Sequence, residues 1–139
     1  MKVLLLLLPL VLTGCFQNTQ TRWYEKERVS KGETLYNQYC ISCHNKNAVG
    51  TKQWKKMDKD GFLPPPPLNG TAHTWHHDAD LLFKIIDEGG ALYNGKMPPF
   101  KDVLSHQDKL NILAYIQNFW KDETYSIWIE EIQKGKEVK

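Results

Sequence analysis

Cysteine, methionine, strongly one-signed charge and long apolar runs are all scarce in this sequence, and each scarcity excludes something. Three cysteines in 139 residues leave no second Cys-x-x-Cys pair to complete a structural zinc site, which takes four ligands. His76 and His77 stand side by side rather than spaced as a zinc-finger pair. A formal charge of +2, with no basic helix and no run of like charge, gives no argument for a nucleic-acid partner. The apolar run from Val3 to Leu12, interrupted only by Pro9, is too short to span a bilayer, which needs about 20 apolar residues. No strand-period alternation, internal repeat or low-complexity stretch appears.

What is present begins with a positive Lys2 ahead of that apolar run, the pattern of a signal-peptide h-region. It ends in Leu12-Thr13-Gly14-Cys15, which resembles the lipobox of bacterial lipoproteins. The resemblance implies that residues 1–14 are removed and that Cys15 is acylated, facing the periplasm or the cell exterior. Each buried methylene contributes about 0.8 kcal/mol, so two or three acyl chains make a lasting anchor. Phe16 to Glu27 is polar and reads as a tether, and about 12 residues at roughly 3.3–3.6 Å each reach at most about 40 Å. The divisions expected are a leader at 1–14, the anchored cysteine and tether at 15–28, a folded domain at 29–121 and a tail at 122–139.

Within the domain the apolar spacing is helical. Val29 to Cys40 forms a first helix, with Ser30 as N-cap. Residues 45 to 63 are a lysine-rich loop, and Pro64 to Pro67 is a rigid extended segment. A second helix runs from about His76 to Glu88, capped by Thr74, with Leu81, Leu82, Ile85 and Ile86 on one face; Gly89-Gly90 ends it. After a turn-rich loop from Tyr93 to Leu104, Ser105 and Asp108 make a loose capping box for a last major helix to about Trp120. The tail carries Ile127, Trp128, Ile129 and Ile132, read as a further short helix or as an exposed docking surface. The fold class is all-α with long loops. Three or so short helices bury little by themselves, and a large flat apolar group in the middle solves that difficulty.

The chemistry sits in Cys40-Ile41-Ser42-Cys43-His44. Cys-x-x-Cys-His attaches a c-type haem, the thiols adding to the vinyl groups and the histidine ligating iron. A thioredoxin-like redox pair would want a strand before it and a βαβ surround, which is missing. For the second axial position the sequence offers Met97, in Gly95-Lys96-Met97-Pro98-Pro99-Phe100, a loop stiffened by two prolines. Met57 lacks such a frame, and His73, His76, His77 and His106 read as surface or capping residues, a histidine being the next choice of ligand after Met97.

These residues together resemble a class I (mitochondrial-type) c-type cytochrome over about residues 29 to 121. Gly32-x-x-Leu35-Tyr36 before the haem motif and Leu113-Ala114-Tyr115-Ile116 in the last helix match that family's terminal-helix crossing, where the glycine permits close approach. Pro66-Pro67-Leu68-Asn69-Gly70 resembles its Pro-x-Leu-x-Gly segment. The match implies that the Pro66 carbonyl accepts a hydrogen bond from the His44 ring and that Leu68 packs on haem. Asn45 departs from the glycine that often follows the histidine. Trp75 is expected at a haem propionate or in the core.

The implied fold is three to five short helices with long loops around one covalently bound haem c. The implied function is electron transfer rather than catalysis, by His/Met-ligated iron, between redox partners such as an oxidase, a reductase or a copper protein. Lys96 and Lys101 flank Met97, placed to steer acidic partners or merely to solvate the loop. A haem-based sensor or gas-binding protein, and an accessory haem subunit of a larger membrane oxidoreductase, are the rival readings.

Overall fold

The computed structural model describes residues 21–139; the leader, the lipobox and Cys15 lie outside the described residues. Five α-helices follow one another: α1 (Lys26–Tyr39), α2 (Ile41–His44), α3 (Ala79–Glu88), α4 (His106–Gln117) and α5 (Asp122–Ile127). Short 3-10 turns join them, and among the described residues the β pairing is one isolated parallel bridge, Leu63 with Gly95.

The crossing of α1 and α4 organises the fold, the most extensive contact between elements. It depends on Gly32, where an added Cβ would collide with the Asn111 carbonyl and press on Tyr115. One turn on, the Tyr36 and Tyr115 rings meet at 5.0 Å. Every residue of α4 from Lys109 to Gln117 is buried, the mark of a helix enclosed on all sides rather than lying on a surface. Ser105 and Asp108 cap it reciprocally, the Ser105 hydroxyl accepting from Asp108 N–H and the Asp108 carboxylate from Ser105 N–H.

Two caps differ from expectation. α1 starts at Lys26 behind Glu25, and Ser30 lies inside it. The chain is already fixed there, because Arg22 donates to the Trp120 carbonyl at 2.9 Å and to Asp122 at 2.7 Å, and Tyr24 is buried. The polar stretch read as a tether therefore packs onto the domain from Arg22 onward. α3 is capped by Asp78, which accepts from Leu81 N–H at 3.0 Å. The Thr74 hydroxyl instead donates to the Pro67 carbonyl at 2.9 Å.

The tail is not an exposed docking surface. Tyr125 is 1% exposed and Trp128 is fully buried, with Ile129 and Ile132 packed against the core and Ile127 left in solvent. Tyr125, Trp128, Ile129 and Ile132 recur at i, i+3, i+4 and i+7, which puts them on one helical face, and that face closes over Trp120 at 5.9 Å.

Candidate haem site

α1 ends at Cys40, and the single turn α2 carries the rest of the motif. The Cys43 and His44 N–H groups both donate to the Cys40 carbonyl, at 3.2 and 2.9 Å. That turn sets the two sulfurs about one helical repeat apart, and both thiols are free. Cys43 is exposed, whereas Cys40 is half-buried and its thiol is pushed up to about 11, first by burial and then by Cys43 beside it.

His44 is 8% exposed. Its Nδ1 lies 2.9 Å from the Pro66 carbonyl. A carbonyl only accepts, so Nδ1 carries the proton and Nε2 keeps its lone pair for a metal. Burial drives the imidazole pKa down, and the bond to Pro66 offsets that only in part. The ring is thus held neutral, oriented and able to ligate.

The proline segment is held at consecutive peptide groups. Pro65 O accepts from Thr51 N–H at 2.8 Å, Pro66 O from His44, Pro67 O from Thr74, and Leu68 N–H donates to Ala48 O at 2.8 Å. The Trp120 indole N–H then bonds Leu68 O at 2.8 Å. Gly50, at φ +59, passes so close beneath Pro66 and Pro67 that a Cβ would overlap their backbone. Asn45 adopts φ 62, ψ 169, a region close to glycine-only. The departure from glycine is compensated locally: Asn45 Nδ2 donates to Gly50 O at 3.0 Å, and Tyr36 OH donates to Asn45 O at 2.8 Å. Sequence reasoning missed that role for Asn45, although the family's glycine there was the signal.

Met97 is half-buried. Its carbonyl accepts from Gly90 N–H at 2.9 Å, Gly95 N–H reaches Gly90 O at 2.9 Å, and Leu63 N–H reaches Asn94 O at 2.7 Å. Lys96 is not a free steering charge. It pairs with Asp58 at 2.9 Å and Asp60 at 3.5 Å and lies over the Phe62 ring; Lys101 stays exposed. Met57 is 52% exposed. Among the histidines, His73 is neither surface nor cap: it stacks on Trp54 at 4.7 Å and 10°, meets His77 edge-on, and its Nδ1 is buried without a partner. Trp75 is half-buried, its ring against His76.

The donor set fits haem c: two free thiols a turn apart, then a neutral buried imidazole with Nε2 open, and a thioether on a pinned loop. Leu68, Leu82 and Ile86 pack against the core while keeping apolar surface uncovered, which a flat apolar group would cover. Residues 27–116 match the family model described as cytochrome c oxidase, cbb3-type, subunit III. The chain belongs to this family. A curated relative, the cbb3-type cytochrome c oxidase subunit FixP of Sinorhizobium medicae (strain WSM419), is 25% identical over 114 residues, covering 79% of this chain and 35% of the relative. The chain therefore spans about a third of that relative's length.

The fold is also that of a solved cytochrome. Cytochrome cL of the marine methylotroph Methylophaga aminisulfidivorans MPT superposes with a TM-score of 0.58 at 23% identity, over 84% of this chain and 71% of that one. The family and the fold together make this chain a class I c-type cytochrome. No helix among the described residues is long and apolar enough to cross a membrane.

Proposed function

We propose that this cytochrome shuttles electrons through one haem c bound covalently by Cys40 and Cys43, with His44 and Met97 as iron ligands. Bound haem supplies a one-electron couple at its iron. The residues of the chain supply its setting: the Pro66 carbonyl fixes the His44 ring, Leu68 gives an apolar contact, and the glycine-bounded loop presents the Met97 thioether. One observation carries the reading, the buried His44 whose Nδ1–H is spent on Pro66 and whose Nε2 is left to ligate. With His44 and Met97 holding the iron, the thioether would favour the ferrous form, and the potential would lie above that of a paired-histidine site. No position would then remain for substrate or gas.

The test is reduced-minus-oxidised spectroscopy on wild type and Met97→Ala. Wild type is expected to show a ferric methionine–iron band and little CO binding, and the variant to lose the band, fall in potential and bind CO. A variant that kept the wild-type potential and band would sink the ligand assignment, and ready CO binding by wild type would favour a gas-binding protein.

The same proposal places the protein on the outer side of a membrane through acylated Cys15, exchanging electrons with an oxidase, a reductase or a copper protein. The apolar run before Leu12-Thr13-Gly14-Cys15 supports this, and Cys15→Ser should release the protein from the membrane fraction. The likeness to a protein named as an oxidase subunit favours one second reading, a haem-bearing accessory of a larger oxidoreductase. Co-purification from detergent-solubilised membranes separates that from a free carrier.

A further inference from the structure

The last segment, beyond the residues that match the family, grips the start of α3 at three successive positions. Trp128 donates its indole N–H to the His77 carbonyl at 2.8 Å. The Gln133 side-chain oxygen accepts the Ala79 N–H at 3.0 Å, with both residues 2% exposed. Lys136 Nζ approaches Asp78, the α3 cap, at 3.9 Å. A π-helical turn from Trp128 to Ile132 sets the spacing, closed by Gln133 N–H on Trp128 O at 2.7 Å. Such a turn is rare in helices and tends to mark a position with a task.

What is gripped leads back to His44. His77 N–H donates to Thr74 O at 3.2 Å, and the Thr74 hydroxyl is bonded to Pro67 O at 2.9 Å in a buried position. Pro67 follows Pro66, whose carbonyl takes the His44 Nδ1–H. A continuous path of hydrogen bonds and chain thus runs from Trp128 through His77, Thr74 and the prolines to the imidazole. Pro66 has no N–H of its own, so the position of its carbonyl depends on what holds its neighbours.

We propose that residues 122–139 are a clamp that sets how closely the Pro66 carbonyl engages His44, with Trp128 and Gln133 as positioning residues, and so tunes the reduction potential. The inference rests on His44 being an iron ligand. A firm N–H···O=C bond makes the imidazole a stronger electron donor, which favours ferric iron. Loosening the clamp weakens that donation and moves the potential up.

The experiment uses the full holoprotein as wild type, Trp128→Phe, Gln133→Leu and Gln133→Glu. Midpoint potential, the hyperfine-shifted His44 ring resonances of the ferric form, and a pyridine haemochrome are measured on each. Trp128→Phe keeps an aromatic ring, though a smaller one, and loses the donor, and Gln133→Leu loses the acceptor; both should raise the potential and move the His44 resonances. Gln133→Glu retains an acceptor for Ala79 N–H and should restore wild-type values. Unchanged potential and resonances in both donor- and acceptor-less variants, with haem attached, overturn the clamp and leave the ligand reading intact. Should Gln133→Leu fail to fold, Trp128→Phe decides alone. A wild type without covalent haem overturns both readings together.

Discussion

Around His44 nearly every main-chain polar group has a partner inside the protein, from Pro65 O through Leu68 O. Around Met97 the loop is held by three main-chain bonds with Gly90, by Leu63 N–H on Asn94 O and by Phe100 N–H on Ile86 O, and is braced by the exposed Lys96 pairs. Of the first kind, the Thr74–Pro67 bond is buried and the His44–Pro66 and Trp120–Leu68 bonds are partly so, and losing a buried one leaves a group unsatisfied at about 1–3 kcal/mol. Surface pairs of the second kind are worth about 0–1 kcal/mol and are screened by salt. One side of the site is therefore built to stay, and the other to yield. If Met97 ligates iron as proposed, ligand exchange should start there.

A matched pair of substitutions strains that contrast most. Gly50→Ala puts a Cβ into the Pro66–Pro67 backbone at φ +59, and its expected cost is about 3 kcal/mol or more. Equilibrium denaturation would show this as a lower midpoint at similar slope. An alanine as stable as wild type would mean that the proline segment is far less rigid than its hydrogen bonds imply. Asn45→Ala keeps the positive φ and loses the bond to Gly50 O, with an expected loss of about 1–2 kcal/mol by the same measurement.

On the other side, the Gly90→Ala Cβ would meet Met97 Cβ at 3.1 Å, at an ordinary φ of −92. The loop can give, so a cost below about 1 kcal/mol is expected, with the ferric methionine–iron band weakened more than the melting temperature falls. A Gly90→Ala as damaging as Gly50→Ala would erase the difference between the sides.

The smallest effect is one of pH. Asp58 is held below the usual carboxylate range, first by the Phe62 N–H and then by Lys96, while Lys96 is held up by Asp58. A depressed carboxyl stabilises above its unfolded value, about 3.9, and the contribution is lost as acid protonates Asp58 below that. A raised ammonium stabilises below its unfolded value, about 10.4, and that is lost as pH rises through the folded one. Protection of the Leu63 and Gly95 amides, relative to their intrinsic exchange rates, should fall below about pH 4 and in high salt, with no matching loss at Leu68.

The parts of this arrangement that rest on local chemistry were legible from residue types alone. The Ser105–Asp108 box and the order of helices follow from capping and apolar spacing, whereas Gly32 at the helix crossing and the Pro66 carbonyl beside His44 were expected from the resemblance to class I cytochromes. Contacts between distant segments were not. The pairing of Lys96 with Asp58 and the stacking of His73 on Trp54 join loops that no periodicity brings together. The Ser30 and Thr74 caps were displaced for the same reason: Arg22 fixes the chain before α1, and Thr74 is drawn away by Pro67. Burial of Trp128 was within reach, since its neighbours share one helical face, but the tail's polar residues masked that stripe.

The closeness of α1 to α4 has a consequence for the order of assembly. The partner of the haem-motif helix lies about eighty positions later in the chain, and contacts at such separation form only after a large loop-closure entropy has been met. While a growing chain lacks α4 and the Arg22–Asp122 staple, nothing covers Gly32 or Tyr36. If haem is joined to Cys40 and Cys43 as proposed, the joining would come while both are still open, before the last helices close the crossing.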